Sequence, residues 1–494
     1  MEYRTITRII GILVALFSTT MLPSVAAAWH YEDGGGNAFV RAFIISCIIG
    51  ALLWYPNRDA KAELRNREGF LIVVLFWTVL GAIGAIPFML VERPDLSLSD
   101  AMFESFSALT TTGATVITGL DSLPKAILLY RHMLQWLGGM GIIVLAVAVL
   151  PMLGVGGMQL YRCETPGPVK DNKMTPRIAE TAKALWKIYL FLTAICAVAY
   201  YLAGMDEFDA ICHSFSTIAI GGFSTHDASM GYFDSPLINL ICVVFLLISA
   251  INFSLHFAAF PLAFSEKNIQ AKFNLKVYWY DPEVRIFLLV QLLLVAVVFL
   301  VLLSHAPVGQ SIENSLDQAL FQAVSMSTTA GFATENFAAW PLFLPMLLIL
   351  ASFVGGSAGS TAGGIKVIRM MLLTLQGMRE LKRLVHPRAV YSIRLNNKAI
   401  TDKVVDAVWG FFAAYALVFV VLMIALMGTG LDNVTAFTAV AASLNNLGPG
   451  LGDVASHYGL INDPAKWILI VGMLFGRLEI FTLLVLFTPT FWRN

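Results

Sequence analysis

Four short loops that end in glycine recur along the chain. They read FSALTTTG (106–113), FSTIAIGG (215–222), VSMSTTAG (324–331) and AASLNNLG (441–448), and their final glycines are separated by 109, 109 and 117 residues. Small side chains leave the backbone carbonyl oxygens free to replace the hydration shell of a monovalent cation, and glycine permits backbone angles that other residues avoid. The candidate cation-coordinating residues are Thr110, Thr111, Thr112, Gly113, Ala219, Ile220, Gly221, Gly222, Thr328, Thr329, Ala330, Gly331, Asn445, Asn446, Leu447 and Gly448.

A short, mostly apolar stretch precedes each loop. These stretches are too short to cross roughly 30 Å of hydrocarbon as helices, which favours re-entrant half-helices. An aspartate at the start suits an N-cap or first turn, and the partly negative carboxyl end then points to the loop and favours a cation there. The fourth loop has larger residues, so different ion contacts are expected in it. The four starting residues are Asp100, Asp209, Asp317 and Asp432.

The composition is that of a membrane protein. Of 494 residues, 58% are hydrophobic and 13% charged, against about 25% charged in ordinary soluble proteins. The formal charge is zero, which indicates no nucleic-acid partner, and the five cysteines lack the spacing of a zinc site or disulfide framework. Spans of the lipid bilayer are expected near 8–28, 37–54, 70–91, 126–150, 182–203, 237–263, 285–304, 342–372, 405–427 and 466–488.

The first of these segments admits two interpretations. Arg4 and Arg8 precede a long apolar run, and Ala26 and Ala28 imitate the cleavage site of a signal peptide. The run has about the length of a spanning helix rather than of a signal-peptide core, which favours a retained first helix.

Lysine and arginine concentrate on one side of the predicted topology. The connections 205–235 and 305–340 contain neither residue. By the positive-inside rule, the basic connections and both termini face the cytoplasm, and the glycine-ended loops face outwards. The basic residues are Arg58, Lys61, Arg65, Arg67, Arg162, Lys170, Lys173, Arg177, Lys267, Lys272 and Lys276, then Lys366, Arg369, Arg379, Lys382, Arg383, Arg388, Arg394, Lys398 and Lys403.

A spanning segment flanks each half-helix and loop on both sides. The unit of helix, pore helix, loop and helix therefore occurs four times, and such a repeat is evidence about the whole fold. Irregular backbone at membrane depth must be buried or line a water-filled cavity, which four loops around a pseudo-fourfold axis provide. We predict an all-α polytopic membrane protein with two N-terminal transmembrane helices at 1–67 and repeats at 68–165, 166–280, 281–400 and 401–494.

The span after the third loop contains SFVGGSAGSTAGGIK (352–366). Each glycine disfavours a continuous helix by about 1 kcal/mol relative to alanine, so one interpretation is an unwound gate that crosses the pore. The other is close helix packing, because three of the glycines are spaced four residues apart. The candidate gate residues are Gly355, Gly356, Gly359, Gly363 and Gly364.

Arg477 lies within the last predicted span, where an arginine costs roughly 2.5–3.5 kcal/mol on insertion scales. Glu479 is two residues away on a different helix face and is a poor partner. Either Arg477 forms a salt bridge to another helix, or its charge lies below the loops and slows conduction. The polar residues His132, Asn252 and His256 are expected to be packing residues.

The motifs SALTTTGATV and STTAGFAT, in their fourfold setting, resemble those of the TrkH/KtrB potassium transporters of the Trk/Ktr/HKT superfamily. The resemblance extends over about 68–490, and two preceding helices are typical of the TrkH branch. It implies a potassium selectivity filter at the four loops, an intramembrane gating loop in the third repeat and a pore arginine at Arg477. Glycine rather than serine at Gly113 implies a preference for potassium over sodium.

The resemblance also implies partners. Relatives form homodimers with one pore in each protomer, and a cytosolic TrkA-type subunit that responds to NAD and ATP regulates them. The basic stretch 367–403 is the expected docking surface, although such stretches also bind anionic lipid headgroups. The chain has no nucleotide-binding motif, so no cofactor is expected beyond potassium as the transported ion.

Two other functions compete with a potassium pore. A carrier that couples potassium to H+ or Na+ also has repeats, broken helices and midplane ion sites. Four repeats in one orientation, with few acidic residues inside spans, favour the pore. An enzyme is disfavoured, because the sequence contains no HExxH, GxSxG, P-loop or Cys/His metal spacing.

Overall fold

The computed structural model describes residues 2–60, 66–139, 141, 178–260, 274–305, 311–395, 398–478 and 480–493. Within them, six helices are long and apolar enough to cross a membrane, and two bent helix pairs bring the number to eight. The end of the span expected at 126–150 and the basic connection with Arg162, Lys170, Lys173 and Arg177 lie outside the described residues.

The N-terminal part consists of α1 (Tyr3–Ser18), α2 (Leu22–Tyr31) and α3 (Gly36–Trp54). Helices α1 and α3 cross at facing glycines: a Cβ added to Gly11 would lie 2.8 Å from the Gly50 carbonyl oxygen, and one added to Gly50 would lie 2.9 Å from that of Gly11. Close backbone approach at small residues is typical of membrane helix pairs. The first segment therefore packs as part of the fold.

The other helices fall into four units, each with an outer helix, a short pore helix and an inner helix. The first holds α4 (Asn66–Leu90), α5 (Leu98–Leu109) and α6 (Lys125–Gly139), and the second holds α7 (Ile178–Leu202), α8 (Glu207–Ala219), α9 (Pro236–Ser249) and α10 (Phe253–Ala259). After α11 (Lys276–Tyr280), the third holds α12 (Pro282–Ser304), α13 (Ile312–Ser327), α14 (Leu344–Ala351) and α15 (Val367–Val385). A hairpin of β1 (Arg394–Leu395) and β2 (Lys398–Ala399) leads to α16 (Asp402–Gly428), α17 (Asn433–Leu444), α18 (Asp463–Arg477), α19 (Ile480–Leu484) and α20 (Pro489–Trp492).

Three of the four predicted aspartates lie at the start of a pore helix. Asp432 is the N-cap of α17, and its carboxylate accepts hydrogen bonds from Val434 N and Thr435 N. Asp100 and Asp209 lie in the first turns of α5 and α8. Negative charge at these positions is favourable because the amino end of a helix carries partial positive charge.

The expectation for Asp317 is wrong. Helix α13 begins at Ile312 and has Ser311 as its N-cap, so Asp317 lies in the second turn. Its carboxylate accepts a hydrogen bond of 2.8 Å from Asn239 Nδ2. Asp317 therefore links α13 to α9 instead of starting a helix.

The inner helices of the second, third and fourth units are interrupted. The spans expected at 237–263 and 466–488 are not continuous: α9 and α10 are inclined at 94°, and Asp463–Arg477 is inclined at 114° to Ile480–Phe487. In the third unit, 352–366 forms turns and bends between α14 and α15. The interpretation of its glycines as the packing face of a continuous helix is therefore wrong.

Candidate functional site

The four loop glycines form a closed ring. Each glycine packs against one carbonyl oxygen of the next loop, which belongs to the residue just before that loop's glycine. A Cβ added to any of the four glycines would crowd or overlap this oxygen. The contacts join Gly113 to Gly221 O, Gly222 to Ala330 O, Gly331 to Leu447 O and Gly448 to Thr112 O. Because this order returns to its starting point, the loops surround one axis. The pseudo-fourfold arrangement predicted from the repeats is confirmed.

All four loops share one backbone conformation. The residue two positions before each glycine lies in the left-handed region, at an expected cost of order 1–3 kcal/mol for a non-glycine residue, and the glycine also has positive φ. The pairs are Thr111 (55°) and Gly113 (78°), Ile220 (53°) and Gly222 (77°), Thr329 (69°) and Gly331 (80°), and Asn446 (52°) and Gly448 (97°). Recurrence of this strain at matched positions indicates a conformation that the surrounding structure imposes.

Buried side chains hold the loop backbone from behind. Gln135 on α6 donates from Nε2 to Gly221 O at 2.6 Å, and its Oε1 accepts from Phe223 N at 3.2 Å. The Tyr458 hydroxyl donates to Gly448 O at 2.7 Å. One amide thus fixes the chain on both sides of the second loop glycine, and one phenol fixes the fourth loop.

The asparagines of the fourth loop bind other protein groups. Asn445 Oδ1 accepts from the Tyr415 hydroxyl at 2.7 Å, and its Nδ2 donates to Ser352 Oγ at 2.9 Å. Asn446 Nδ2 donates to Thr112 Oγ1 at 3.0 Å in the first loop. The fourth loop therefore differs from the others by side-chain bonds that tie it to its neighbours.

Two threonine hydroxyls of the loops form hydrogen bonds with their own pore helices. Thr110 Oγ1 donates to Phe106 O at 2.7 Å, and Thr328 Oγ1 donates to Val324 O at 2.7 Å. These hydroxyls close the last helical turn. The carbonyl oxygens of the loops are thus better placed than these hydroxyls for ion coordination.

Residues 352–366, here called the crossing segment, contact three of the four units. The contacts lie at the carboxyl ends of pore helices α8, α13 and α17. The hydrogen bonds are Thr361 Oγ1 to Ile218 O (3.0 Å), Gly363 N to Thr329 Oγ1 (2.7 Å) and Gly364 N to Asn445 O (3.1 Å). The segment therefore lies directly against the inner side of the loop ring.

The crossing segment is folded back on itself. Gly355 has a φ of 65° and packs against the backbone of Gly363 and Gly364, so tightly that a side chain at Gly355 would overlap them. Lys366, which ends the segment, has a φ of 80°, a conformation that is costly for a residue with a side chain. Strain of this kind persists only where neighbouring contacts impose it.

A buried carboxylate ties the crossing segment to α12. Glu283 Oε1 accepts from Ala358 N at 2.8 Å and from Ile368 N at 3.1 Å. Ala358 belongs to the segment and Ile368 to the first turn of α15. A single side chain thus holds the segment and the helix that follows it.

Arg477 ends α18 and reaches the first unit. Its Nη1 donates to Thr111 Oγ1 at 3.5 Å, and its Nη2 donates to Gly139 O at 2.9 Å and to Gly138 O. The two carbonyls end α6, and the carboxyl end of a helix favours a positive charge. Arg477 therefore lies beside the first loop.

His226 follows the second loop and lies between two carboxylates. Its Nδ1 is 2.5 Å from Asp121 Oδ1 and its Nε2 is 3.0 Å from Asp209 Oδ2, while Tyr232 stacks on the ring at 3.4 Å. Burial alone lowers the pKa of His226, but the hydrogen bonds to Asp209 and Asp121 outweigh it and raise the pKa above its ordinary value. His226 therefore joins the first and second units, and the two carboxylates favour its protonated form.

Sequence reasoning did not single out the buried ion pair of Glu104 and Arg131, whose Oε1 and Nε are 2.7 Å apart. Both side chains are 0% exposed. The sequence could have indicated this pair, because both residues are charged and lie in apolar stretches beside the first loop. Charges in such positions are costly unless they are paired. The same signal points to Glu283 at the start of an apolar helix.

The three polar residues expected to be packing residues form local hydrogen bonds. His132 Nδ1 lies 2.7 Å from Leu128 O, and Asn252 Oδ1 accepts from Ser254 N to cap α10. His256 lies 2.8 Å from the Tyr278 hydroxyl. These bonds agree with a structural role.

In the described part of the chain, no group of three or more His, Cys, Asp or Glu side chains suits a resident metal ion. Four cysteines there are free thiols: Cys47, Cys196, Cys212 and Cys242. Cys163 lies outside the described residues.

A family model described as "TrkH: Cation transport protein" matches residues 35–493. The chain belongs to the TrkH family. Relatives of this TrkH-family chain include "Trk system potassium uptake protein TrkH" from Vibrio parahaemolyticus, 67% identical over the full length of both chains. The protein of the same name from Escherichia coli K12 is 63% identical over the full length of both. The family is one of transport proteins, so the expectation that the chain is not an enzyme is confirmed.

A solved structure resembles the TrkH-family chain over its whole length. The "Crystal Structure of the Potassium Transporter TrkH from Vibrio parahaemolyticus" matches with a TM-score of 0.89 and 64% identity, covering 100% of both chains. "Trk system potassium uptake protein TrkG" from Escherichia coli K12 is more distant, at 43% identity over 99% of both chains. The fold predicted from the sequence, an all-α polytopic membrane protein, is confirmed.

Proposed function

We propose that this TrkH-family protein takes up potassium across the bacterial inner membrane through a single-chain fourfold pore. The cyclic packing of the four loop glycines carries the proposal, because each glycine lies against a carbonyl oxygen of the next loop. A ring of backbone carbonyls replaces the hydration shell of a monovalent cation. The names of relatives 63–67% identical, which are potassium uptake proteins, support potassium as the cargo.

The selectivity filter consists of residues 110–113, 219–222, 328–331 and 445–448. The pore helices α5, α8, α13 and α17 end at these four stretches, so their partly negative carboxyl ends are directed towards a cation there. Glycine at Gly113 leaves the carbonyl ring unobstructed and favours potassium. The four repeats are assigned the boundaries predicted from the sequence.

The gate is the crossing segment, with Arg477 as a charge beside it. The segment contacts the second, third and fourth units, and Arg477 contacts the first. Together they cover the inner side of the ring, so conduction requires the segment to move. The segment is suited to movement because it is not helical and contains five glycines that permit a second conformation.

The partners are a second copy of the chain and a cytosolic TrkA-type subunit responsive to NAD and ATP. The words "Trk system" in the names of relatives support a multi-component assembly. Lys382 and Arg383, in the last turn of α15, offer the regulatory subunit a basic cytoplasmic surface. The termini and the basic connections face the cytoplasm.

Cation flux in liposomes tests the proposal. Purified protein should carry potassium faster than sodium, and the flux should persist without any proton or sodium gradient; a requirement for either gradient would favour a coupled symporter. Gly113→Ser should lower the potassium/sodium flux ratio, because its side chain would overlap Gly221 O. An unchanged ratio would contradict the filter assignment.

A further inference from the structure

A side chain near the middle of each pore helix supports the chain that follows the loop glycine. In the first three units this side chain stands nine positions before the glycine, and in the fourth it stands ten before. The contacts are Val116 N to Glu104 Oε2 (3.0 Å), His213 Nε2 with Ser224 Oγ (2.9 Å), Gln322 Nε2 to Phe332 O (3.4 Å) and Leu451 N to Thr438 Oγ1 (3.0 Å). Each pore helix thus fixes the outer end of its own loop.

Among the four supporting side chains, only that of the first unit, Glu104, is acidic, and it is buried. Glu104 pairs with Arg131 at 2.7 Å, and both side chains are fully buried. Thr115 lies between them: its hydroxyl donates to Glu104 Oε2 at 3.0 Å and accepts from Arg131 Nη2 at 3.0 Å. Three polar side chains therefore satisfy one another two residues beyond Gly113.

Arg131 also reaches the second unit. Its Nη1 donates to Ser224 O at 3.4 Å, and its guanidinium carbon lies 4.1 Å from the centre of the Phe223 ring. Phe223 follows Gly222 directly, and its backbone nitrogen donates to Gln135 one helical turn along α6. The ion pair thus connects the chain after the first loop glycine with the chain after the second.

The same cluster is joined to the fourth loop. Thr115 O accepts from Tyr458 N at 2.7 Å, and the Tyr458 hydroxyl donates to Gly448 O at 2.7 Å. Buried networks of this kind are rigid when every member is satisfied, and removal of one charged partner leaves the other charge buried without compensation. The ends of three of the four loops therefore depend on one polar network.

We propose that Glu104 and Arg131 are positioning residues that determine the selectivity of the filter. The inference rests on the filter assignment made above. By fixing the chain after the first two loop glycines, the pair holds the carbonyl ring at the width that suits potassium. A loosened ring contracts around the smaller sodium ion, so loss of the pair lowers discrimination before it lowers conduction.

Three variants test the proposal by the potassium/sodium flux ratio in liposomes. Glu104→Gln removes the negative charge, and Arg131→Gln removes the positive one. Thr115→Val keeps both charges and a similar volume but deletes the hydroxyl between them. We expect the ratio to fall about tenfold in the charge variants, which corresponds to about 1.4 kcal/mol of lost discrimination, and less in Thr115→Val. The double variant Glu104→Gln with Arg131→Gln, which leaves no unpaired charge, should recover folding but not the ratio.

Asp402→Asn is the matched control. It makes the same change from acid to amide in an ion pair of similar length, 2.6 Å to Arg379 Nη1, between α15 and α16. The ratio should be unaltered in this variant. A wild-type ratio in the double variant and in Thr115→Val, with normal melting temperatures, would overturn the proposal.

Two further results complete the test. If the charge variants fail to fold, the melting temperature of Thr115→Val is measured with potassium and with sodium, since a bound ion stabilises the folded state. The inference is overturned if the difference between the two ions is the same in Thr115→Val as in the wild type. If the wild type carries no potassium, the proposed function is wrong. If the wild type is selective and the variants are equally selective, only the role of the Glu104–Arg131 pair is wrong.

Discussion

The guanidinium of Arg477 lies 3.5 Å from Thr111 Oγ1, so a fixed positive charge stands beside one loop of the ring. The other three loops are contacted from the same side by the crossing segment. The two features are complementary: the segment bonds to residues of the second, third and fourth units, and the charge lies beside the first loop. The proposed function therefore predicts an electrostatic barrier and a steric barrier to conduction, which can be removed separately.

Replacement of Arg477 by glutamine should increase potassium flux by roughly ten- to thirtyfold, since each step of about 1.4 kcal/mol is a factor of ten. At an effective dielectric constant of about 20, a unit charge several ångströms from the ion is worth on the order of 2 kcal/mol, and its loss lowers the barrier to inward movement. Flux of rubidium or potassium into liposomes is the measurement. Arg477→Lys keeps the charge and should stay near the wild-type rate; equal acceleration by both variants would show that the charge is not the barrier.

Replacement of Glu283 by alanine should raise basal flux by releasing the crossing segment. The carboxyl group accepts two backbone N–H groups, from Ala358 and Ile368, and a typical hydrogen bond contributes about 0.5–1.5 kcal/mol. Flux is measured in the absence of any regulatory subunit. Glu283→Gln retains an acceptor oxygen and should give an intermediate rate. Flux at or below the wild-type rate in the alanine variant would leave the carboxylate without a role in gating.

The ring of loops could be predicted from the sequence because the glycine-ended loop motif occurs four times. Four copies of a glycine-ended loop, each between two apolar segments, place Gly113, Gly222, Gly331 and Gly448 in equivalent positions, and equivalence around one axis follows from the repeat. The glycine content of 352–366 left an unwound segment and close helix packing both open, and only the resemblance to the TrkH/KtrB transporters favoured the unwound segment.

Other features depend on contacts that sequence spacing does not encode. The bends within 237–263 and 466–488 lie at Asn252 and just after Arg477, with no proline at the break, and the mean hydropathy of the two segments favoured straight spans. Asp317 pairs with Asn239 of another helix, and that partner is defined only by the folded chain. Glu104 and Arg131 were visible as charges, but their pairing across two helices was not.

Replacement of Tyr458 by phenylalanine should reduce both stability and selectivity. The hydroxyl donates to Gly448 O, and loss of one such buried hydrogen bond costs about 1 kcal/mol. Melting temperature and the potassium/sodium flux ratio are measured together. Tyr278→Phe, which removes a hydroxyl bonded to His256, is the control and should change stability without changing the ratio. A normal ratio in Tyr458→Phe would mean that the fourth loop needs no support from this hydroxyl.

The stability of the wild-type protein should fall as the pH rises above about 6.5, the ordinary pKa of an unfolded histidine. The pKa of His226 is raised in the folded state because its hydrogen bonds to Asp209 and Asp121 outweigh the effect of burial. A group with a raised pKa contributes stability that is complete below its unfolded value, about 6.5, and is lost as the pH passes through the folded value.

Melting temperatures of the detergent-purified protein between pH 6 and pH 9, in steps of about half a unit, measure this dependence. His226→Gln cannot be protonated, so its melting temperature should be lower than that of the wild type at pH 6, and the difference should shrink as the pH rises. Parallel curves for the two proteins would show that the histidine is neutral throughout and does not join the two units by charge.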